Sequence, residues 1–381
     1  MDTSRLVKVL VGLAFTSVAS GALALDFEAD GIPYVQYGDG QSYSLPISQF
    51  IDGCEGPGCD YYVKSTPGEI KDLTVLGTGS SGVPVTTNTT GMDGAYETPS
   101  GVSGEAFFST PTFTDPDDAN DDNVNNDYAQ SWDASLTSLQ SFLNGEEMIF
   151  FFNNNQQNSL GAAAQTLAAW AQLWITDDLG NLVGEVYEFT NNNEPYNLVS
   201  QGGGGVVNGD VTTYSSGVLD PLTNNPDGDG TDGDTDYVLS GGQICLSNAF
   251  LPVPCDGSEA FGPFNHNLGA DEVAYAIIFP ELNDALAGLF AGGLDLSDYT
   301  LHVDFRLGCD PFLYNDDGTG DICTGSTLGF GKSLNNGFEQ LFIGTRETVT
   351  QVPEPGSLAL VALGLLGFGL FGRRSRRVAD A

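Results

Sequence analysis

Tyr299-Thr300-Leu301-His302-Val303-Asp304-Phe305-Arg306-Leu307 alternates without a fault. Leu301, Val303, Phe305 and Leu307 take one side and His302, Asp304 and Arg306 the other, the period of two of a strand with one apolar face. Around it lie shorter, mainly apolar runs. Glu272 to Phe279, Glu147 to Phe152 and Phe338 to Thr345 are rich in β-branched and aromatic residues, as buried strands are. Thr166 to Thr176 and Leu182 to Thr190 flank Asp177-Asp178-Leu179-Gly180-Asn181, a turn cluster that predicts a hairpin. Helical spacing occurs in two places. Leu282, Ala285, Leu286, Leu289 and Phe290 follow it with Gly292 as a stop, and Leu136 to Leu143 forms a weaker second case. Many short strands, turn signals between them and few helices predict an all-β fold, an antiparallel β-sandwich of jelly-roll type. Segments 114–127 and 201–236, rich in Asp, Asn and Gly, are its long acidic loops, and neither a second domain nor an internal repeat is evident.

The composition supports a folded exported body and narrows its partners. With 40% hydrophobic residues, 23 Phe and 14 Tyr, the 381-residue chain has apolar surface enough for a core despite a formal charge of −40. Between residues 26 and 352 the basic side chains are Lys64, Lys71, Arg306, Lys332 and Arg346, against 48 acidic ones, for a formal charge of about −43. Such a body repels phosphate backbones and anionic lipid heads, which argues against nucleic acid and against peripheral membrane binding.

Both ends read as an address. Arg5 and Lys8 form a positive n-region, Val9 to Ala19 an apolar stretch too short to span a bilayer, and Ala22-Leu23-Ala24 a cleavage box. Residues 1–24 are therefore expected to be a signal peptide handled by the Sec export machinery, with the exported body covering 25–346. A linker at 347–352 leads to Pro353-Glu354-Pro355, an uncharged stretch from Gly356 to Gly372, and Arg373, Arg374, Arg376 and Arg377. As a helix, 356–372 would span about 25 Å, slightly short of a full hydrocarbon core. The arginines would hold its far end in the cytoplasm, leaving the body outside.

This tripartite end resembles the PEP-CTERM sorting signal of Gram-negative bacteria. The resemblance implies recognition of Pro353, Glu354 and Pro355 by an exosortase, a membrane protease-transpeptidase, and removal of the tail near that motif. The expected itinerary is an inner-membrane-anchored intermediate, then the cell surface or the extracellular space. The pattern of the body, ending in the strand Phe338-Glu339-Gln340-Leu341-Phe342-Ile343, is similar to that of other PEP-CTERM cargo, a resemblance that brings no activity with it.

Six cysteines fall in three local pairs, Cys54–Cys59, Cys245–Cys255 and Cys309–Cys323, and export favours disulfides within these pairs. Spacing alone leaves fifteen connectivities open. No C-x-x-C is present and no His lies at finger-like distance from a Cys, so zinc ligation is not supported. Gly77 to Gly82 and Gly228 to Gly233 match G-x-G-x-x-G only in letters. The first is followed by Val83-Pro84-Val85, which does not open a helix, and Asp229 and Asp232 within the second would repel a pyrophosphate. There is no G-x-S-x-G and no H-E-x-x-H, and His266 and His302 are the only histidines, so no catalytic residue is assigned. His302 is expected to face solvent or be hydrogen-bonded on the polar side of its strand, and His266 to lie in a loop.

The strongest chemistry is Asn225-Pro226-Asp227-Gly228-Asp229-Gly230-Thr231-Asp232-Gly233-Asp234-Thr235-Asp236. As a twelve-residue Ca²⁺ loop it puts Asn225, Asp227 and Asp229 at positions 1, 3 and 5, Gly230 at the sharp turn, the Thr231 carbonyl at 7 and Asp236 at 12. It resembles dockerin loops, where Asp also closes the last position, but Tyr237-Val238-Leu239 after it reads as strand rather than helix. An acidic solvated loop is the other reading of the same residues. Asp115 to Asp127 is denser in acid without that spacing. Two function classes follow: a non-enzymatic protein of the cell surface or extracellular matrix, associated with extracellular polysaccharide, or a secreted carbohydrate-active hydrolase, which needs two carboxylates at the right separation.

Overall fold

The computed structural model describes residues 27, 30–79, 88–99, 107–113, 124, 127, 130–155, 167–190, 219–220, 225–226, 238–240, 243–250, 252–253, 255, 259–269, 272–308, 334, 337 and 339–346. In chain order the strands are β1 (Tyr34–Tyr37), β2 (Gly40–Ser44), β3 (Thr74–Thr78), β4 (Tyr96–Glu97), β5 (Phe107–Ser109), β6 (Trp132–Ser135), β7 (Ile149–Asn153), β8 (Leu167–Asp177) and β9 (Tyr187–Phe189). They continue with β10 (Leu219–Asp220), β11 (Asn225–Pro226), β12 (Val238–Ser240), β13 (Gln243–Leu246), β14 (Pro252–Val253), β15 (Phe261–Asn265), β16 (Tyr275–Ile278), β17 (Tyr299–Gly308) and β18 (Gln340–Gly344). The helices are α1 (Leu45–Asp52), α2 (Pro67–Ile70), α3 (Leu136–Leu143) and α4 (Pro280–Ala291). The protein is mostly β, with few helices and several antiparallel sheets.

The alternating stretch is β17, and it organises one large sheet. Nine consecutive positions, Tyr299 to Leu307, face Asp177 to Ala169 of β8, while β6 and β5 pair along its other edge. β9 and β12 extend the sheet beyond β8, so the predicted hairpin forms around 177–181. The second large sheet runs β1-β2-β16-β7-β18-β3-β4 and is antiparallel except for the β3–β4 pair.

One core lies between these two sheets. Leu301, Val303, Phe305 and Leu307 join Leu173 and Ile175 from their own sheet and Phe150, Phe152, Ile277, Leu341 and Ile343 from the other. The opposite face of the seven-stranded sheet is also covered. Ile149, Phe151, Ala276 and Phe342 pack there against Phe27, Tyr61, Val63 and Ile70. Being apolar on both faces, β7 reads Ile-Phe-Phe-Phe with no alternation and is wholly buried.

Local chemistry sets the helix ends. Ser44 caps α1 by accepting from the Ile47 N–H at 3.2 Å, with a proline in the first turn and Gly53 closing it in the left-handed conformation, φ 75°. Ser135 caps α3 the same way, from the Ser138 N–H. No helix among the described residues is long and apolar enough to cross a membrane. The expected signal peptide 1–24, linker 347–352, sorting motif, spanning segment 356–372 and arginine cluster lie outside the described residues.

Candidate functional site

The two histidines lie where the sequence reading put them, His302 hydrogen-bonded on the polar side of its strand and His266 in a loop, and the structure adds that both are buried. His302 lies on the polar side of β17 but does not meet solvent, being 0% exposed. Cross-strand register puts Asp133 opposite it on β6 and Trp174 opposite it on β8. Its Nδ1 is 2.8 Å from Asp133 Oδ1 and its Nε2 is 2.8 Å from Thr176 Oγ1, while Trp174 stacks on the ring at 5.1 Å. Ser131 Oγ donates to Asp133 Oδ1 at 2.7 Å, and the Asp133 N–H donates to Asp93 Oδ2 at 2.6 Å. Hydroxyl, imidazole and carboxylate thus stand in the order of a catalytic triad. Thr176, His302 and Asp133 are at most 1% exposed, so the chain of bonds is sealed from any substrate and serves to satisfy buried polar groups. Beside it, Arg306 Nη2 donates to Asp304 Oδ2 at 2.9 Å and the guanidinium lies 4.8 Å from the Trp170 ring centre. This polar side of β17 is therefore interior surface.

His266 follows β15 and is also 0% exposed. Its Nε2 is 2.6 Å from Ser44 Oγ, and its ring stacks on Tyr275 at 5.1 Å. Tyr275 faces Ser44 directly across the β2–β16 pair. A Ser–His pair at the start of a helix invites an acyl-transfer reading, but the helix amides there are spent. The Leu45 N–H donates to the Ala274 carbonyl at 3.0 Å, Pro46 has no N–H, and the Ile47 N–H is turned onto Ser44 Oγ itself. None of these three positions offers a donor to a developing oxyanion.

Ser44 does face open space. A cavity of about 90 Å³ lies between the two large sheets, walled by Phe150, Phe152, Trp170 and Leu173, with Ser42 and Ser44 among its few polar groups. Ser240, also on its wall, accepts from Asn154 Nδ2 at 2.9 Å. The next residue along, Asn155, donates its N–H to Glu339 Oε2 at 3.1 Å. Glu339 is fully buried, and loss of solvent pushes its carboxyl up to about 8, against the downward pull of that N–H.

A third cluster sits on the small β14-β13-β15 sheet, braced by the Cys245–Cys255 disulfide. Phe250 stacks on Phe261 at 5.0 Å with ring planes 10° apart, and Phe50 lies within 5.4 Å of both Phe261 and Phe264. Phe250 is 43% exposed and has a positive φ of 58°, a conformation that costs a bulky residue energy.

Of the sequence-derived ligands, Asn225 lies in β11, paired with Asp220 of β10, and Val238–Ser240 after the loop is a strand. Asp227, Asp229, Thr231 and Asp236 fall outside the described residues, as do Cys309 and Cys323. Cys54–Cys59 and Cys245–Cys255 are both disulfide-bonded. The structure also gathers Asp93, Asp127 and Asp133, whose carboxylate oxygens lie within 4.8 Å of one another. That is an oxygen set of the kind Ca²⁺ takes, supplying three of the six to eight ligands it prefers. Their separation in sequence hides this grouping. The sequence reading did not single out Ser44, although Ser followed by Leu-Pro is a helix-start signal that could have found it.

A mostly β body followed by an apolar, arginine-ended tail defines an exported protein carrying a C-terminal sorting signal. Residues 351–377 match the PEP-CTERM protein-sorting motif, which makes this a PEP-CTERM protein of the exosortase-substrate class, exported and sorted to the cell surface. Residues 25–306 match the family described as Domain of unknown function (DUF8239), and the chain belongs to that family. No curated protein and no solved structure matches the chain.

Proposed function

We propose that the body is a non-enzymatic protein of the cell surface or extracellular matrix that associates with neutral extracellular polysaccharide. The observation that carries this is the Phe250 platform. Among the described residues the other large apolar side chains that stand exposed are Leu179 and Leu294, both aliphatic. A stacked, disulfide-braced aromatic pair, with Phe250 held in a costly backbone conformation, suits the apolar face of a sugar ring. The formal charge of about −43 on residues 26–352 selects a neutral polymer over an anionic one. The shared core between two large sheets supports the jelly-roll reading of the fold. The signal peptide, the 353–377 anchor, the Cys309–Cys323 bridge and the Ca²⁺ loop at 225–236 complete the proposed protein.

The alternative, a secreted carbohydrate-active hydrolase, would need two carboxylates facing a cleft about 5 Å or more apart. The Asp93, Asp127 and Asp133 oxygens lie closer than that, and two of the three residues are wholly buried. The test is retention of the mature protein on insoluble neutral glucan. Phe250→Ala should weaken retention about tenfold, equivalent to 1.4 kcal/mol, without lowering Tm. Equal retention of both forms, or release of sugar by the wild type, would overturn the proposal.

A further inference from the structure

We infer that the cavity between the two large sheets is a binding site for a small uncharged molecule with a short aliphatic or phenyl end and one hydroxyl or carbonyl. Protein interiors rarely keep voids larger than a water molecule, and an apolar void forfeits the dispersion contacts its walls could make. Here about 90 Å³ is left open against Phe150, Phe152, Trp170 and Leu173. An engineered apolar cavity of about 150 Å³ in another protein stays dry and takes benzene, so this one suits a group of about three to six carbons.

Its polar groups are placed as an end stop. Ser42 and Ser44 lie two residues apart on β2 and so share a face, opposite Ile277 and Tyr275 of β16. Ser42 is 8% exposed and lines the cavity. Ser44 Oγ has one donor and two acceptor positions. One acceptor is taken by the Ile47 N–H and one position is shared with His266, which leaves one for a guest. Two neutral hydroxyls on an apolar wall select an uncharged polar end. Tyr34 and Tyr275 on the wall are only partly buried and mark the mouth. This site is separate from the Phe250 platform, so either can fail without the other.

The experiment titrates the mature protein with straight-chain alcohols from ethanol to hexanol and with benzyl alcohol, by calorimetry and tryptophan emission. Trp170 is on the cavity wall, whereas Trp132 and Trp174 are not, so a change in emission reports occupancy. Binding should saturate at one molecule per chain and tighten about fourfold per added methylene until the cavity is full. Ser42→Leu should fill the space, raise Tm and abolish binding, and Ala169→Val provides a second filling variant should the first not fold. Ser42→Ala should keep the chain-length dependence while narrowing the preference for an alcohol over the matching alkane. Absence of saturable binding by the wild type, or undiminished binding in a folded filling variant, would overturn the inference.

Discussion

Replacing Glu339 by Gln should remove a specific pH dependence from the stability of this protein. Glu339 stands immediately before β18, is 0% exposed, and accepts from the Asn155 N–H at 3.1 Å. Burial raises its folded-state carboxyl to about 8 from the ordinary 4.5. The native state therefore favours the protonated form. The associated stability is fully present below about 4.5 and is lost as pH rises through about 8. At 1.36 kcal/mol per pH unit the full gap is worth about 5 kcal/mol, of which about 1 is gone at pH 5 and about 3 by pH 7. Gln keeps the shape and one acceptor but does not ionise. Glu339→Gln should therefore match the wild type near pH 4 and melt several degrees above it at pH 8. The other carboxylates contribute a background slope shared by both proteins, so the difference in Tm isolates this one group. A difference that stays constant from pH 5 to 8 would refute the argument.

Other outcomes follow from the tail, the acidic loop and the core. Mature wild-type protein should end near residue 353 by mass spectrometry, and Pro353→Ala with Pro355→Ala should leave a full-length, membrane-bound form that keeps Arg373 to Arg377. Calorimetry should show Ca²⁺ binding with a Kd on the order of 10⁻⁴ to 10⁻³ M, abolished by Asp227→Ala with Asp229→Ala. No heat at millimolar Ca²⁺ would remove that site. Phe305 is 1% exposed and packs on Phe108 at 4.8 Å and Tyr96 at 6.2 Å, so Phe305→Ala should cost about 3–5 kcal/mol in chemical denaturation. A loss below about 1 kcal/mol would mean that this core collapses onto the gap.

Period and terminal chemistry were readable residue by residue. The alternation of 299–307 located β17 and the face it gives the core, because side chains on a pleated strand must take opposite sides. The apolar runs at 147–152, 272–279 and 338–345 became β7, β16 and β18, and the helical spacings became α3 and α4. The order of motif, apolar stretch and arginines at the C-terminus gave the destination. Four-residue β6, Trp-Asp-Ala-Ser, is too short and too polar to announce itself, although every residue of it is buried.

What only the tertiary structure decided is which distant residues meet. A polar residue on a strand tells its face and not its solvent. His302 is buried because Asp133, 169 positions earlier, and Thr176, 126 positions earlier, supply the hydrogen bonds that water would otherwise make. Likewise His266 finds Ser44 across 222 residues, and Asp93, Asp127 and Asp133 converge although nothing local links them. Periodicity reports a side chain's direction along its own strand. Partners, cavities and shifted carboxyls arise from sheet register and packing between segments far apart in the chain, and no local pattern encodes them.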